Sequence, residues 1–288
     1  MKLVTFRAGG DPRLGVLRDG DEVVEVDGAA SMLALIDAGR EGLARARSAA
    51  SSSKARAHRL EEVTLLPPLP DPRGNVIAIG RNYQAHAAET ASGSEPNPPT
   101  IFTKAITSLA APFADIAIDR AISDRIDWEV ELGVVTSRSG ANIKRADAPN
   151  HVFGYMAFND VTARDIQAGW GGQYFKGKSL DRSSPCGPWI VTADEIADPQ
   201  SLALHLQVNG ITKQDGNTAD MIYPVDAILE WVSKGLTLPA GAIIATGTPD
   251  GVGFARTPPE FLKPGDVMET EVVGVGMFRN RIVGAGSD

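Results

Sequence analysis

Asp127-Trp128-Glu129-Val130-Glu131-Leu132-Gly133-Val134-Val135 is the stretch around which the rest of the chain can be organised. Alternate side chains of a strand share a face. Trp128, Val130, Leu132 and Val134 then fall on one side, and Asp127, Glu129 and Glu131 on the other. Successive same-face positions lie ~6.6 Å apart at a rise of ~3.3 Å per residue. Acidic residues are depleted in strands, and two carboxylates about 4 Å apart repel by roughly 4 kcal/mol at an effective dielectric of about 20. Such a face is tolerable when water solvates it, or when a divalent cation sits between the carboxylates. The segment alone leaves both readings open. Oxygen-only ligands suit Mg2+, Mn2+ or Ca2+ rather than Zn2+.

A second apolar run, Phe153-Gly154-Tyr155-Met156-Ala157-Phe158, ends in Asn159-Asp160 and leads into Val161-Thr162-Ala163-Arg164-Asp165-Ile166-Gln167. Asp160 either caps the helix that follows or completes an oxygen-ligand triad with Glu129 and Glu131.

Working outward, short strands are expected at 75–80, 128–135, 152–159, 189–192, 202–208, 242–246, 267–273 and 276–282. Helical patterns cover 83–89, 162–167 and 224–234. This is a strand-rich α+β domain with peripheral helices, not a regular alternation of strand and helix. Pro67, Pro68, Pro70 and Pro72, with Gly74, mark residues 67–74 as a stiff linker. Residues 1–66 before it form a small N-terminal α/β domain, with strands at 3–7, 15–17, 23–26 and 64–66 and helices at 32–36 and 42–59. Residues 75–288 form the larger domain.

The composition narrows the function. At 43% hydrophobic and 22% charged residues the chain is an ordinary globular one. A net charge of −8 argues against nucleic acid or an anionic membrane as partner. The lone Cys186 excludes an internal disulfide and a thiolate cluster. The first residues lack the apolar stretch of a signal peptide, and no run approaches the roughly 20 apolar residues of a membrane helix. A cytoplasmic protein is expected.

Further pieces come in order: Ile79-Gly80-Arg81-Asn82-Tyr83 with His86 and Glu89; Phe102-Thr103-Lys104; Asn159-Asp160 with Arg164, Asp165 and Gln167; Gly177-Lys178-Ser179; Pro185-Cys186-Gly187-Pro188-Trp189; and Thr246-Gly247-Thr248-Pro249-Asp250-Gly251-Val252-Gly253. With the acidic strand they span nearly all of residues 75–284, and together they resemble the fumarylacetoacetate hydrolase family. The resemblance implies a β-roll of packed sheets, a homodimer, and Mg2+ or Mn2+ held by Glu129, Glu131 and Asp160. It further implies a catalytic His86 working with Glu89, a substrate-facing Lys178, and Arg164, Gln167 and Thr248 lining the pocket. The longer, tyrosine-catabolic members carry an extra acidic ligand seven residues before the catalytic histidine. Ile79 stands there in this chain, which therefore resembles the short branch of acylpyruvate hydrolases, oxaloacetate decarboxylases and 2-hydroxyhepta-2,4-diene-1,7-dioate isomerases. The implied substrate is a small anionic 2-oxo acid. The implied chemistry is metal-assisted hydrolysis of a carbon–carbon bond in an acylpyruvate, with isomerisation or decarboxylation as alternatives at the same site.

Other signals weigh less. Gly172–Ser179 matches a phosphate-binding loop, but no strand pattern precedes it and Pro185 forbids a long helix after it. His205 is expected exposed on a strand, His58 on a solvated helix face and His151 in a loop. Cys186 is expected to be a packed thiol. Asp127 is left outside the ligand set. The segment Thr90–Pro99, rich in Ser, Gly and Pro, reads equally as a lid beside His86 or as an ordinary loop.

Overall fold

The computed structural model describes residues 1–90 and 98–286. From Val130 onward the acidic stretch lies inside a 12-stranded sheet. Val130–Thr136 pairs antiparallel with Val152–Asn159 on one side and with Ile243–Ala245 on the other. Beyond Val152–Asn159 come Ser184–Thr192, Lys2–Arg7, Arg13–Arg18, Glu22–Glu25 and Ala57–Arg59. Beyond Ile243–Ala245 come Val76–Gly80, running parallel to it, and the edge strand Thr100–Lys104. A second sheet has five strands in the order Ile211–Asn217, Ala203–Val208, Val267–Val272, Gly276–Gly284 and Ile116–Ile118.

Every residue of Val130–Thr136 and Val152–Asn159 is buried, so this central pair is covered on both faces. Val130, Leu132 and Val134 share a core with Leu204, Leu206, Met268 and Phe278 of the second sheet. Val135, Met156 and Phe158 belong to another, which includes Met32, Leu35 and Ile36 of the helix Met32–Asp37. Residues 1–66 thus share a sheet and a core with the chain beyond the proline-rich segment, through the pairs Lys2↔Val191 and Leu3↔Ile190. Among the described residues no helix is long and apolar enough to cross a membrane.

The structure departs from the sequence expectations at several points. The acidic stretch is not one strand. Ile126–Asp127 pairs with Thr162–Ala163, and the main ladder begins at Val130, so strict alternation does not run from Asp127 to Glu129. For the same reason the helix expected from Thr162 begins at Arg164. The helix expected over 42–59 spans Gly39–Ser51 and ends at a run of serines, which compete for backbone hydrogen bonds. Ala57–Arg59 instead pairs as a strand with Glu22–Val24. His58 is therefore on a strand, its Nε2 2.7 Å from Glu25 Oε1. His151 is buried at the end of a short 3-10 segment, Arg145–His151, rather than in an open loop. The strand expected at 189–192 begins at Ser184. Of the segment Thr90–Pro99, residues 91–97 lie outside the described residues.

Candidate active site

The ladder register explains why three carboxylates meet. Val130 lies opposite Asn159, and Asp160 N donates to Glu129 O at 2.9 Å. Glu129 and Asp160 are therefore cross-strand neighbours, with Glu131 two residues along. One carboxylate oxygen from each lies within 4.8 Å of the others. Glu129, Glu131 and Asp160 are 4%, 1% and 0% exposed, which eliminates the solvated strand face. Asp160 does not cap the helix after it either, since the capping position is Ala163.

Buried cations surround these acids unevenly. Arg164 donates from Nε to Asp127 Oδ2 at 2.8 Å and from Nη2 to Glu129 Oε1 at 2.6 Å. Lys178 Nζ donates to Glu129 Oε2 at 2.8 Å, Asp160 Oδ2 at 2.7 Å and Thr162 Oγ1 at 2.9 Å. Lys104 Nζ donates to Asp160 Oδ1 and lies 3.3 Å from Val161 O. Glu131 receives a backbone donor, Gly247 N at 2.8 Å, where φ of +98° and a would-be Cβ 2.6 Å from Asn82 Cβ require glycine. The titration of the two glutamates diverges accordingly. Burial acts to raise Glu129, but Lys178 and Arg164 outweigh it and hold the carboxyl at about 2. Burial, then Asp160 and Glu129, push Glu131 well above the usual carboxylate range. Lys178 is raised because Asp160 and Glu129 overcome the opposing effect of burial, whereas burial lowers Lys104 despite Asp160.

This donor set fits a hard divalent cation. It offers three carboxylate oxygens with no nitrogen or sulfur among them, which suits Mg2+ or Mn2+. The one poorly compensated carboxylate, Glu131, needs a proton or a cation beside it. Around the site Glu89, Asp127, Glu129, Glu131 and Asp160 oppose Arg81, Lys104, Arg164 and Lys178. With all nine ionised one negative charge is in excess, and a divalent ion reverses that to one positive charge, suited to an anionic substrate.

A cavity of about 270 Å³ opens beside the triad, lined by His86, Glu129, Glu131, Arg164, Gln167, Lys178 and Thr248, with Arg81, Phe102 and Phe254. His86 and Glu89 occupy one face of the helix Gln84–Glu89, with Nδ1 2.8 Å from Glu89 Oε1. Glu89 Oε2 accepts from Gly251 N at 2.9 Å, which fixes the carboxylate. With Nδ1–H assigned toward Glu89, the lone pair of His86 is on Nε2. Gln167 Oε1 accepts from Arg164 Nη1 at 3.1 Å. Thr248 Oγ1 donates to Val130 O and accepts from Gln214 Nε2, both at 2.8 Å, so its proton is already engaged by the fold. Ile79 is buried in the cavity wall and supplies no fourth acid.

The structure brings together every residue expected at the site and adds others. Asp127, outside the ligand set, anchors Arg164 and accepts from Gly253 N at 2.7 Å and Phe254 N at 3.1 Å. Lys104 is a site residue to which the sequence assigns no role, although Phe102-Thr103-Lys104 is among the motif pieces; the strand Thr100–Lys104 that carries it is not apparent from the sequence. The phosphate-loop pattern is absent as a structure, since Lys178 follows the four-residue helix Tyr174–Gly177. Cys186 is a buried thiol pushed up to about 12 by burial.

Residues 75–283 match the family described as fumarylacetoacetate (FAA) hydrolase C-terminal, and residues 1–68 one described as Rv2993c-like, N-terminal. Oxaloacetate tautomerase YisK of Bacillus subtilis (strain 168) is 42% identical over 226 residues, covering 78% of this chain and 75% of that protein. The mitochondrial oxaloacetate tautomerase fahd2 of Xenopus laevis is 38% identical over 292 residues, covering 98% and 90%. Among solved structures, a fumarylacetoacetate hydrolase from Exiguobacterium antarcticum superposes with a TM-score of 0.86 at 37% identity over 99% of both chains. Maleylpyruvate hydrolase from Sphingobium sp. SYK-6, in complex with manganese(II) and pyruvate, gives 0.81 at 30% identity, also over 99% of both.

Proposed function

The chain belongs to the fumarylacetoacetate hydrolase family, and on that premise we propose that it is a divalent-metal-dependent enzyme that moves a proton on the carbon beside the oxo group of a small 2-oxo acid, with keto–enol tautomerisation of oxaloacetate as its reaction. The observation that carries this reading is the His86–Glu89 pair opening onto the same small cavity as three buried carboxylates. The names of the two tautomerases support the choice of substrate.

Glu129, Glu131 and Asp160 would hold the cation, which when bound supplies Lewis acidity toward the substrate's oxo oxygen. Glu89 orients the imidazole so that Nε2 takes the C3 proton. The C–H electron pair becomes the C2–C3 double bond, and the carbonyl pair moves onto oxygen. Lys178, kept charged by Asp160 and Glu129, places a positive charge where negative charge grows. The proton then passes from His86 to that oxygen, completing the enol with no change in composition.

The test follows the ultraviolet absorbance of enol oxaloacetate with Mg2+ or Mn2+ present. His86→Asn is expected to slow interconversion by about 10²–10⁴-fold while calorimetric metal uptake persists. A metal-loaded wild type no faster than buffer overturns the reading. A second reading is hydrolysis of an acylpyruvate, in which Nε2 activates water instead. It is favoured by the similarity to a maleylpyruvate hydrolase structure that contains pyruvate. Pyruvate and a second carboxylic acid released from a 2,4-dioxo acid select it; pyruvate and carbon dioxide from oxaloacetate select decarboxylation.

A further inference from the structure

We infer that Arg81 reads the far end of the substrate: its guanidinium binds the distal carboxylate of a dicarboxylic 2-oxo acid and selects such acids over those that lack one. This rests on the 2-oxo acid reading of the cavity proposed above.

The other cations at the site are already neutralised. Arg164 is paired with Asp127 and Glu129, Lys178 with Glu129 and Asp160, and Lys104 with Asp160. Arg81 lines the same cavity and has no carboxylate partner among the described residues. Its one hydrogen bond among them is a long one, from Nη2 to Thr100 Oγ1 at 3.3 Å, and its Nε is buried with no acceptor. A guanidinium is a rigid fork of donors matched to a carboxylate. A half-buried one without a counter-ion, facing a cavity, lacks the group that completes it.

The backbone shows that the placement is enforced. Arg81 sits at φ 55°, a left-handed conformation that residues with a Cβ adopt rarely. The next residue clamps it there. Asn82 is fully buried, its Nδ2 donates to Tyr223 O at 2.9 Å and Thr246 O at 2.7 Å, its Oδ1 accepts from Tyr223 N at 2.8 Å, and its carbonyl accepts from Ile222 N at 2.7 Å. The turn is over-determined, and it presents Arg81 to the cavity. On the reading proposed above, the triad's cation and Lys178 face the oxo end of the substrate, which leaves Arg81 for the other end.

Calorimetric binding to the metal-loaded protein tests this without requiring turnover. Oxaloacetate is compared with 2-oxobutanoate, which has a methyl group in place of the distal carboxylate. Wild type is expected to bind oxaloacetate about 10- to 100-fold more tightly, as befits a charge-assisted pair. Arg81→Gln should abolish that gap and leave 2-oxobutanoate binding unchanged, and Arg81→Lys should restore part of it. Both variants keep a Cβ, so the demand on the backbone is the same. A wild type without preference, or an Arg81→Gln protein that retains it, overturns the proposal. A preference for oxaloacetate without enol interconversion instead sinks the proposed reaction and leaves Arg81 as the selector.

Discussion

Changing Glu129 or Glu131 to glutamine is the same chemical step two residues apart, yet the surroundings predict opposite effects on the metal-free protein. Glu129 is held at about 2 against an ordinary value of 4.5. Its folded-state value is depressed, so its contribution is fully present above about 4.5 and is lost as pH falls toward about 2. At neutral pH Glu129→Gln therefore forfeits about 3 kcal/mol, an order-of-magnitude figure at ~1.36 kcal/mol per unit. Glu131 has the reverse sign. Its value is raised, so metal-free stability is full below about 4.5 and declines as pH climbs through the raised value. Each repulsion from Glu129 or Asp160 across up to 4.8 Å amounts to about 3.5 kcal/mol at an effective dielectric of about 20. Glutamine cannot ionise, and its carbonyl oxygen still accepts from Gly247 N. In chelator, Glu131→Gln should equal wild type at about pH 5 and exceed it increasingly toward about pH 9, while Glu129→Gln is weaker at neutral pH. Urea denaturation across that range measures both, and saturating Mg2+ should place wild type above both variants. A Glu131→Gln protein less stable than wild type at every pH in chelator refutes the assignment of which carboxylate is compensated.

Other predictions concern the supports of the site. Lys104→Met strips Asp160 of a buried counter-ion and should cost about 3–5 kcal/mol while weakening metal uptake; an unchanged urea midpoint and metal titration refute that role. Gly177→Ala places a Cβ 2.8 Å from the Gln167 backbone. It should cost about 1–3 kcal/mol and lower turnover by shifting Lys178 and Gln167, and an active, equally stable variant counts against the packing argument. We also propose a homodimer, for which light scattering should give twice the 30.4 kDa chain mass; a monomeric mass refutes it.

The legible part of this molecule is its long strands and the triad. A strand buried on one face by Val130, Leu132 and Val134 announces itself by period, and the carboxylates of Glu129 and Glu131 keep that period on the opposite face while going against the scarcity of acids in strands. Neither signal says whether the second face is wet. At the Val135 end that face shares a core with Met32, Leu35 and Ile36, about a hundred residues earlier in the chain, and at the carboxylates it meets Lys104, Arg164 and Lys178, which lie on three other segments. No local pattern encodes such contacts. The same limit explains His58. Its stretch reads as a continuation of an Ala-rich helix, and only the distant pairing with Glu22–Val24 makes it a strand. Lys104 and Arg81 stand inside quoted motif pieces, yet no role could be read for them, for a different reason. A lysine at the end of a short strand and an arginine in a turn have ordinary exposed explanations, and only the set of partners among the described residues shows that Lys104 meets a carboxylate there and Arg81 does not.

That contrast bears on what decides the reaction. On the proposed reading His86, Glu89, Lys178 and the triad serve proton movement next to a carbonyl, and hydrolysis, decarboxylation and tautomerisation all pass through such a step. The catalytic groups alone therefore cannot choose among them. The choice lies with the group on C3 and with what the cavity does to it. A distal carboxylate held by a guanidinium has its charge stabilised, and loss of carbon dioxide requires that this charge be given up. A carboxylate seated on Arg81 is thus protected against decarboxylation while the C3 proton remains exposed to His86. In this view the same arginine that would select dicarboxylic acids would also keep the reaction at tautomerisation. Arg81→Gln should then raise the fraction of oxaloacetate that leaves as pyruvate and carbon dioxide, measured as carbon dioxide released per enol interconverted. A ratio that stays constant or falls would separate selection from protection and leave Arg81 with the first role alone.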